Sequence, residues 1–253
     1  NNTGIDIDNK TNQPSTPEPA ITEPEILDSY QIPILMYHYI RDYNNPKDKI
    51  GVALSVSPEN FRSQMTWLRD HHYQTVDLRY LDKPYLPAGE AGALSANPII
   101  LTFDDGFSDA YTTAFPILKE MNMTAVFYII AGEVDAHNGY YANWGELNEM
   151  KDAGMSFGSH SLFHPDLTKV SDNRLSHEIN ESKRILEERL EIEIKDFCYP
   201  AGAYNDKVID AVKKAGYQTA TTTKPGTANE NSDYHQLTRL RITNETDFNK
   251  ILE

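Results

Sequence analysis

Short apolar segments alternate with amphipathic helical segments from about residue 31 to residue 242 of this 253-residue chain. Each apolar run is short enough for a buried strand, and several runs end at polar or turn-forming residues. This alternation is typical of a parallel α/β sheet or barrel, in which helices connect successive strands. The predicted strands are 32–37, 98–103, 124–130, 155–159, 197–200, 218–222 and 239–242, and the predicted helices are 58–70, 108–121, 144–153, 172–190 and 205–215. Ser108 is the expected N-cap of the helix over 108–121.

Residues 1–29 differ in composition from the rest of the chain. They are rich in Asn, Thr, Pro and Glu, and they carry six acidic residues against one lysine. Such a segment cannot bury a core, so we predict a disordered acidic linker over 1–29 and one folded domain over 30–253. A tether between an export or anchoring segment and the domain would have the same composition. No signal peptide is recognisable in the chain as given.

The charge and the cysteine content exclude several classes of partner. The formal net charge is −15, whereas nucleic acids and anionic membranes attract clusters of Lys and Arg. A neutral or cationic substrate is favoured instead. No apolar run approaches the roughly 18 residues of a membrane helix. Cys198 is the single cysteine, so no intrachain disulfide can form. We expect it to be a small buried residue, with a metal ligand as the alternative.

Two adjacent carboxylates end the apolar run 98–103. Asp104 and Asp105 are followed by Gly106, which permits a sharp turn. Asp-Asp-Gly alone is only a turn signal, but burying a carboxylate pair after an apolar strand is costly unless the pair has partners. Because neighbouring strand residues point to opposite faces, we expect the two side chains to have different roles.

Two histidines stand four residues apart directly after the predicted strand 155–159. His160 and His164 can share one side of a helical turn or tight loop, and the hydroxyl of Ser161 can orient a ring or a ligand. Together with one aspartate they offer a three-ligand site for a divalent metal, which leaves the second carboxylate as a base. An ion held by three ligands keeps open positions for water and substrate, as metal-assisted hydrolysis requires.

Two further features follow predicted strands and are expected at the same edge. His38 ends the first strand and is either a core residue or a group at the mouth of the site, where it could act as a general acid. In the loop 199–204, Pro200 and Gly202 fix the backbone direction, so that a backbone N–H could face a developing oxyanion. The remaining histidines are expected on the surface: His71, His72, His137, His177 and His235.

Three motifs resemble those of the polysaccharide deacetylase family, the family-four carbohydrate esterases with a NodB homology domain. They are Thr-Phe-Asp-Asp-Gly at 102–106, His-Ser-x-x-His-Pro at 160–165 and Tyr-Pro-x-Gly at 199–202. The opening Ile-Leu-Met-Tyr-His at 34–38 is similar to the branch that deacetylates poly-β-1,6-N-acetylglucosamine in biofilm matrices. The resemblance covers about residues 31–245. It implies a distorted (β/α) barrel with the active site at the C-terminal ends of the parallel strands.

The resemblance also implies roles for the motif residues. It makes Asp105, His160 and His164 the metal ligands and Asp104 the base that activates the attacking water. In the loop Tyr199, Pro200, Ala201 and Gly202, the backbone amide of Ala201 is the favoured contact to the oxyanion. We expect one divalent metal, preferably zinc, with nickel, cobalt or iron as alternatives, because the ligands are imidazoles and a carboxylate.

The sequence departs from the family pattern in two places. Many members have an arginine that pairs with the base where this chain has Cys198, and Arg239 or Arg241 could supply that charge instead. Many members also end with a Leu-x-His motif that provides the general acid, and no such motif follows His235. His38 is the candidate replacement.

The function predicted from this resemblance is a metal-dependent polysaccharide N-deacetylase of the bacterial cell surface or exterior, and we expect a monomer. Poly-β-1,6-N-acetylglucosamine is the favoured substrate, ahead of chitin oligomers, peptidoglycan and acetyl-xylan. Two alternatives belong to other classes. A non-catalytic carbohydrate-binding domain would not need Asp104, and a glycosidase could not readily flank a glycosidic bond with two adjacent carboxyls.

Overall fold

A curved parallel sheet forms the centre of the protein. The computed structural model describes residues 30–82, 97–136 and 139–252. The predicted linker over 1–29 and His137 therefore lie outside the described residues. Within the described ranges, no helix is both long enough and apolar enough to cross a membrane.

Helices and strands alternate over residues 97–221, as the apolar pattern predicts. The strands are β1 (Gln31–Ile32), β2 (Ile34–Tyr37), β3 (Tyr39–Ile40), β4 (Ser55–Val56), β5 (Tyr73–Thr75), β6 (Asn97–Phe103), β7 (Val126–Ile129), β8 (Ser156–Ser159), β9 (Asp196–Cys198), β10 (Thr219–Thr221), β11 (Ala228–Asn229) and β12 (Leu240–Arg241). The helices are α1 (Lys49–Ala53), α2 (Pro58–Asp70), α3 (Phe115–Glu120), α4 (Trp144–Asp152), α5 (Asp172–Leu190), α6 (Asp206–Lys214) and α7 (Phe248–Ile251).

The main sheet has eight strands among the described residues, in the order β10-β9-β8-β7-β6-β2-β12, with β5 paired to the first half of β6. Its pairings are all parallel. The two edges approach each other because Leu237 forms a parallel bridge with Thr221 at the end of β10, and β12 then pairs with β2. Residues 237–241 thus run from one edge to the other and close the barrel. The predicted distorted (β/α) barrel is confirmed.

Both faces of the sheet are buried, which explains the nearly continuous apolar strands. Alternate strand residues pack outward against the helices in one cluster, which includes Leu35, Leu101, Phe127, Phe197, Phe61, Met65, Leu68, Leu175, Ile179, Leu186 and Leu190. Intervening strand positions and residues of adjoining segments form a second cluster inside the barrel: Ile32, Ile34, Leu78, Leu81, Ile100, Val126, Tyr128, Cys198, Ala228 and Leu237.

The predicted helix 108–121 differs from the structure in its first half. A π-helical segment, Ala110–Ala114, precedes α3, and no side chain caps it, so the expected N-cap at Ser108 is wrong. Pro116 has no N–H to donate to the carbonyl of Thr112, and its ring crowds that carbonyl, which favours the wider turn. The Ser108 N–H instead donates to the carbonyl of Tyr140.

Gly158 offers a test of how closely β8 packs against its neighbours. An added Cβ would lie 2.6 Å from ring carbons of Tyr128 and 2.8 Å from the carbonyl oxygen of Asp196. We expect Gly158→Ala to lower the free energy of unfolding by about 1–3 kcal/mol, measured by chemical denaturation. Gly145→Ala in α4 is the control, since its Cβ meets only Asn143 Oδ1 at 3.1 Å. Equal losses in both variants would contradict the packing argument.

Candidate active site

Asp104 and Asp105 diverge directly after β6. The Asp104 N–H still donates to the carbonyl of Tyr37 on β2, at 3.0 Å, and its side chain is buried. Asp105 has a φ of +75°, so the chain has already left the strand. The expected separation of the two carboxylates is therefore present, but a left-handed turn causes it and not strand alternation. One carboxylate points into the barrel and the other toward its mouth.

Asp104 forms a two-pronged ion pair with Arg239. The Arg239 Nη1–Asp104 Oδ1 distance is 2.7 Å and the Nη2–Oδ2 distance is 2.8 Å, and the arginine is fully buried. Arg239 also donates to the Thr222 carbonyl, the Thr102 hydroxyl and the Cys198 sulfur. All five N–H donors of the guanidinium thus have an acceptor, which is the condition for burying such a group.

This pair determines the protonation of Asp104. Burial alone would raise the pKa of the Asp104 carboxyl, but the charge and hydrogen bonds of Arg239 outweigh it and hold that pKa well below its usual range. Asp104 is consequently a carboxylate at neutral pH. Of the two arginines considered from the sequence, Arg239 lies against Asp104, whereas Arg241 is exposed. Cys198 is buried, as expected, with its sulfur 3.6 Å from Asp104 Oδ2.

Asp105, His160 and His164 converge at the mouth of the barrel. Asp105 Oδ1 lies 3.4 Å from Nε2 of His160 and 3.7 Å from Nε2 of His164. The three ligand atoms lie within 4.8 Å of one another. Two ligands that each lie about 2.0–2.1 Å from a tetrahedral zinc ion are about 3.3 Å apart, so this spacing fits a divalent metal.

The hydrogen bond of His160 supports the same conclusion. Its Nδ1 lies 2.8 Å from the carbonyl oxygen of Cys198. Because a carbonyl can only accept, Nδ1 donates, and Nε2 is the nitrogen that faces Asp105 and is free of the Cys198 carbonyl for a cation. The His164 side chain is 32% exposed, and that of Asp105 13%. His164 and Asp105 are therefore within reach of solvent and substrate, whereas His160 is buried beneath them.

A second group of ligand-type side chains consists of Asp104, His160 and Cys198. Both carboxylate oxygens of Asp104 already accept from Arg239, and the Cys198 sulfur lies 3.2 Å from Nη2 of the same arginine. A cation there would face a guanidinium at close range, so this set does not fit a metal. The geometry thus disfavours Cys198 as a metal ligand.

The histidine loop, residues 160–164, is irregular in backbone. Ser161 and His164 have φ values of +64° and +55°. The Ser161 hydroxyl accepts from the His164 N–H at 2.9 Å, so this side chain orients the backbone of the second histidine. The spacing of four residues therefore corresponds to a tight loop and not to a helical turn.

His38 lies beside Asp104 at the end of β2. Its Nε2 is 3.8 Å from Asp104 Oδ2, and its side chain is 12% exposed. Burial lowers the pKa of the His38 ring, and the opposing effect of Asp104 and Asp105 does not cancel it. The ring is therefore neutral at pH 7, and it is partly exposed beside Asp104.

The loop after β9 makes a tight turn with Ala201 at its exposed tip. Ala201 has a φ of +53°, and the Gly202 N–H donates to the Tyr199 carbonyl at 2.8 Å. A Cβ on Gly202 would lie 2.0 Å from the Thr223 hydroxyl, so the turn requires glycine there. Pro200 is buried. The loop begins next to the Cys198 carbonyl that contacts His160, which places it beside that histidine.

Four rings beside Asp105 form an aromatic ledge that the sequence patterns do not reveal: Tyr39, Phe107, Tyr140 and Tyr141. Tyr39 and Phe107 stack with centroids 3.9 Å apart, and the hydroxyls of Tyr39 and Tyr140 lie 2.7 Å apart. Phe107 pairs with Tyr141 through an antiparallel bridge, and Tyr140 remains 46% exposed. The rings come from three separate segments, so no local spacing could predict the ledge.

His235 differs from the expectation for the other histidines. It is half-buried, and its Nε2 lies 2.9 Å from the carbonyl oxygen of Tyr217. Because that nitrogen meets a carbonyl, it acts as a donor and His235 has a structural role. The predicted surface positions of His71, His72 and His177 are confirmed.

Known proteins resemble this chain in sequence. The model of the polysaccharide deacetylase family matches residues 91–220. The YxkH protein of Bacillus subtilis (strain 168) is 30% identical over 213 residues, which cover 84% of this chain and 72% of that protein. The poly-β-1,6-N-acetyl-D-glucosamine N-deacetylase of Staphylococcus epidermidis is 26% identical over 231 residues, which cover 83% and 78% of the two chains.

A solved structure agrees with these matches. The Streptococcus pyogenes deacetylase PplD, determined in complex with acetate, superposes with a TM-score of 0.79 at 30% identity. The superposition covers 88% of this chain and 97% of PplD. The segment that matches the family model includes both aspartates, both site histidines and the loop after β9. The fold and these matches together show that the chain belongs to the polysaccharide deacetylase family.

Proposed function

We propose that this protein is a metal-dependent hydrolase that removes N-acetyl groups from a polysaccharide containing N-acetylglucosamine. The observation that carries the proposal is that two adjacent carboxylates have different partners. Asp104 is buried and held by Arg239, whereas Asp105 faces two imidazole nitrogens at an open mouth. A non-catalytic sugar-binding domain would gain nothing from burying the Asp104–Arg239 pair beside a metal-ligand group.

Asp105, His160 and His164 would hold one divalent cation, zinc by preference, with nickel, cobalt or iron as alternatives. Such a cation, when bound, polarises the acetyl carbonyl and lowers the pKa of water. Hydrolysis of an amide also needs a base for the attacking water and an acid for the leaving amine. The remaining residues of the site are proposed for those tasks.

Asp104 is proposed as the base and His38 as the acid. Arg239 keeps Asp104 deprotonated and fixes the direction of its oxygens. A proton taken by this carboxylate is held weakly, because the arginine favours the charged form. The neutral ring of His38 lies 3.8 Å from Asp104, and we propose that it receives that proton and passes it to the leaving amine.

The backbone N–H of Ala201 is proposed to stabilise the oxyanion. The turn that contains it is fixed by the buried Pro200 and by the Gly202–Tyr199 hydrogen bond. Donors fixed in this way need no reorganisation when negative charge develops on the acetyl oxygen.

The substrate is proposed to be a polymer outside the bacterial cell. The aromatic ledge offers exposed ring surface next to the metal-ligand group, which suits packing against a neighbouring sugar ring. The net charge of −15 suits a neutral polymer whose deacetylated units are cationic amines. Poly-β-1,6-N-acetylglucosamine is favoured because the S. epidermidis relative carries that specificity in its name. Peptidoglycan, chitin oligomers and acetyl-xylan are the alternatives.

Release of acetate from defined substrates tests the proposal. We expect acetate from β-1,6-linked N-acetylglucosamine oligomers, loss of that activity after chelation, and its return when zinc is added. Chitin oligomers, peptidoglycan and acetyl-xylan are compared at equal acetyl concentration. If acetate release were unaffected by a chelator that removes all metal, the metal-dependent mechanism would be wrong.

His164→Ala removes one proposed ligand from the open side of the site. We expect the purified variant to contain less than a tenth of the wild-type metal, measured by elemental analysis, because two remaining ligands bind weakly. The control is His177→Ala, which changes an exposed histidine on α5. Equal metal content in the wild type and in His164→Ala would refute the assignment.

Asp104→Asn removes the proposed base while preserving its shape. Turnover should fall by about 10²–10⁴-fold, because general base catalysis is typically worth that much. Metal content should remain at the wild-type level, since Asp104 is not a proposed ligand. The control, Asp152→Asn, changes an exposed carboxylate at the end of α4. Turnover within about tenfold of wild type would show that another group is the base.

Tyr140→Ala tests the aromatic ledge. We expect KM for oligosaccharides to rise by about 3- to 10-fold, because ring stacking against the sugar is lost. Hydrolysis of a small aryl acetate should not change. Tyr140→Phe keeps the ring and removes only the hydroxyl contact to Tyr39, so its KM should stay near wild type. A rise in KM for the small ester as large as that for the oligosaccharides would point to a general disturbance of the site.

A further inference from the structure

Glu178 is a fully buried carboxylate on the inner face of α5. Its neighbours on that face, Leu175, Ile179 and Ser182, are also buried. A carboxylate is rarely buried completely unless it has strong partners, and the chemistry proposed above does not use this one. The hydrogen-bond partners of Glu178 therefore indicate its role.

The two oxygens of Glu178 have different partners. Oε2 accepts from the backbone N–H groups of Leu162, at 3.1 Å, and Phe163, at 2.8 Å. Oε1 accepts from Nε of Arg174, at 2.8 Å, and lies 2.6 Å from Nη2 of the same arginine. One carboxylate oxygen thus binds two of the three residues that lie between the site histidines His160 and His164.

The histidine loop depends on side chains for its shape. The Ser161 N–H donates to the Ser159 hydroxyl, and the His164 N–H donates to the Ser161 hydroxyl. With the two bonds to Glu178, every backbone N–H from 161 to 164 is donated to a side-chain oxygen. Ser161 and His164 are both left-handed, a conformation that non-glycine residues keep only when surrounding contacts hold it.

We propose that Glu178 is a positioning residue for the cation site. Its carboxylate holds the N–H groups of residues 162 and 163, and so fixes the chain between His160 and His164. This keeps the Nε2 atoms of both histidines directed at Asp105. The inference rests on the proposed function in one respect only, namely that Asp105, His160 and His164 bind a divalent cation.

The test measures the zinc affinity of the purified apoprotein by competition with a chelating dye, at a temperature where the wild type and the variants compared with it are folded. Glu178→Ala leaves two N–H groups without their acceptor, and we expect the dissociation constant to rise by about 10- to 100-fold. Glu178→Gln keeps the shape but loses the charge, and we expect a rise of about 3- to 10-fold. Glu178→Gln decides the matter if Glu178→Ala does not fold.

Glu188→Gln is the matched control on the same helix. Glu188 is 65% exposed and pairs with Arg184, away from the histidine loop. Its zinc affinity should equal that of the wild type. The absorption spectrum of the cobalt-substituted protein provides a second readout, because it reports ligand geometry and should change in Glu178→Gln only.

Two results separate this inference from the proposed function. If the wild type binds zinc and releases acetate, while Glu178→Gln and any folded Glu178→Ala bind zinc as tightly with an unchanged cobalt spectrum, Glu178 has only a structural role and the inference is overturned. If the wild type itself binds no divalent cation, the proposed function fails, and this inference fails with it.

Discussion

The buried ion pair between Asp104 and Arg239 is the interaction on which the rest of the site depends. The two residues are 135 positions apart in sequence, and they meet because the segment that closes the barrel carries the arginine. The segment that closes the barrel therefore also holds the proposed base in position. An unpaired carboxylate or guanidinium at this depth would be strongly destabilising, typically by about 3–5 kcal/mol. The pair tolerates burial because every guanidinium N–H has an acceptor.

The same ion pair gives the adjacent carboxylates Asp104 and Asp105 different electrostatic surroundings. Arg239 compensates the charge of Asp104, so the negative charge of Asp105 remains available to the two imidazoles. The pKa of Asp104 is depressed in the folded protein, so its contribution to stability is complete above the unfolded pKa of about 4 and is lost as the pH falls toward the folded value. At neutral pH the two neighbours are thus equipped for different tasks: one carboxylate is fixed and buried, and the other can reach a cation.

The sequence by itself determined the order of strands and helices and the place of the main polar groups. Strand and helix periods are local properties, so the barrel elements could be predicted within a few residues, except for the three-residue strand β5, which is too short to show a period. Asp104, Asp105, His160 and His164 could be predicted to meet because each follows a strand, and parallel strands end at one edge of the barrel. The π-helical turn was missed, although Pro116 provides a local reason for it.

Only the tertiary structure decided which partners the charged and aromatic side chains have. The sequence could not choose between Arg239 and Arg241, because the choice depends on which one the closed barrel buries. In sequence, Glu178 looks like an ordinary charged residue on an amphipathic helix. It can be buried because the backbone N–H groups of Leu162 and Phe163, sixteen and fifteen residues earlier in the chain, donate hydrogen bonds to its carboxylate. The aromatic ledge combines segments that are distant along the chain. Local patterns determine periodicity, whereas burial of a charge depends on partners that long-range packing brings to it.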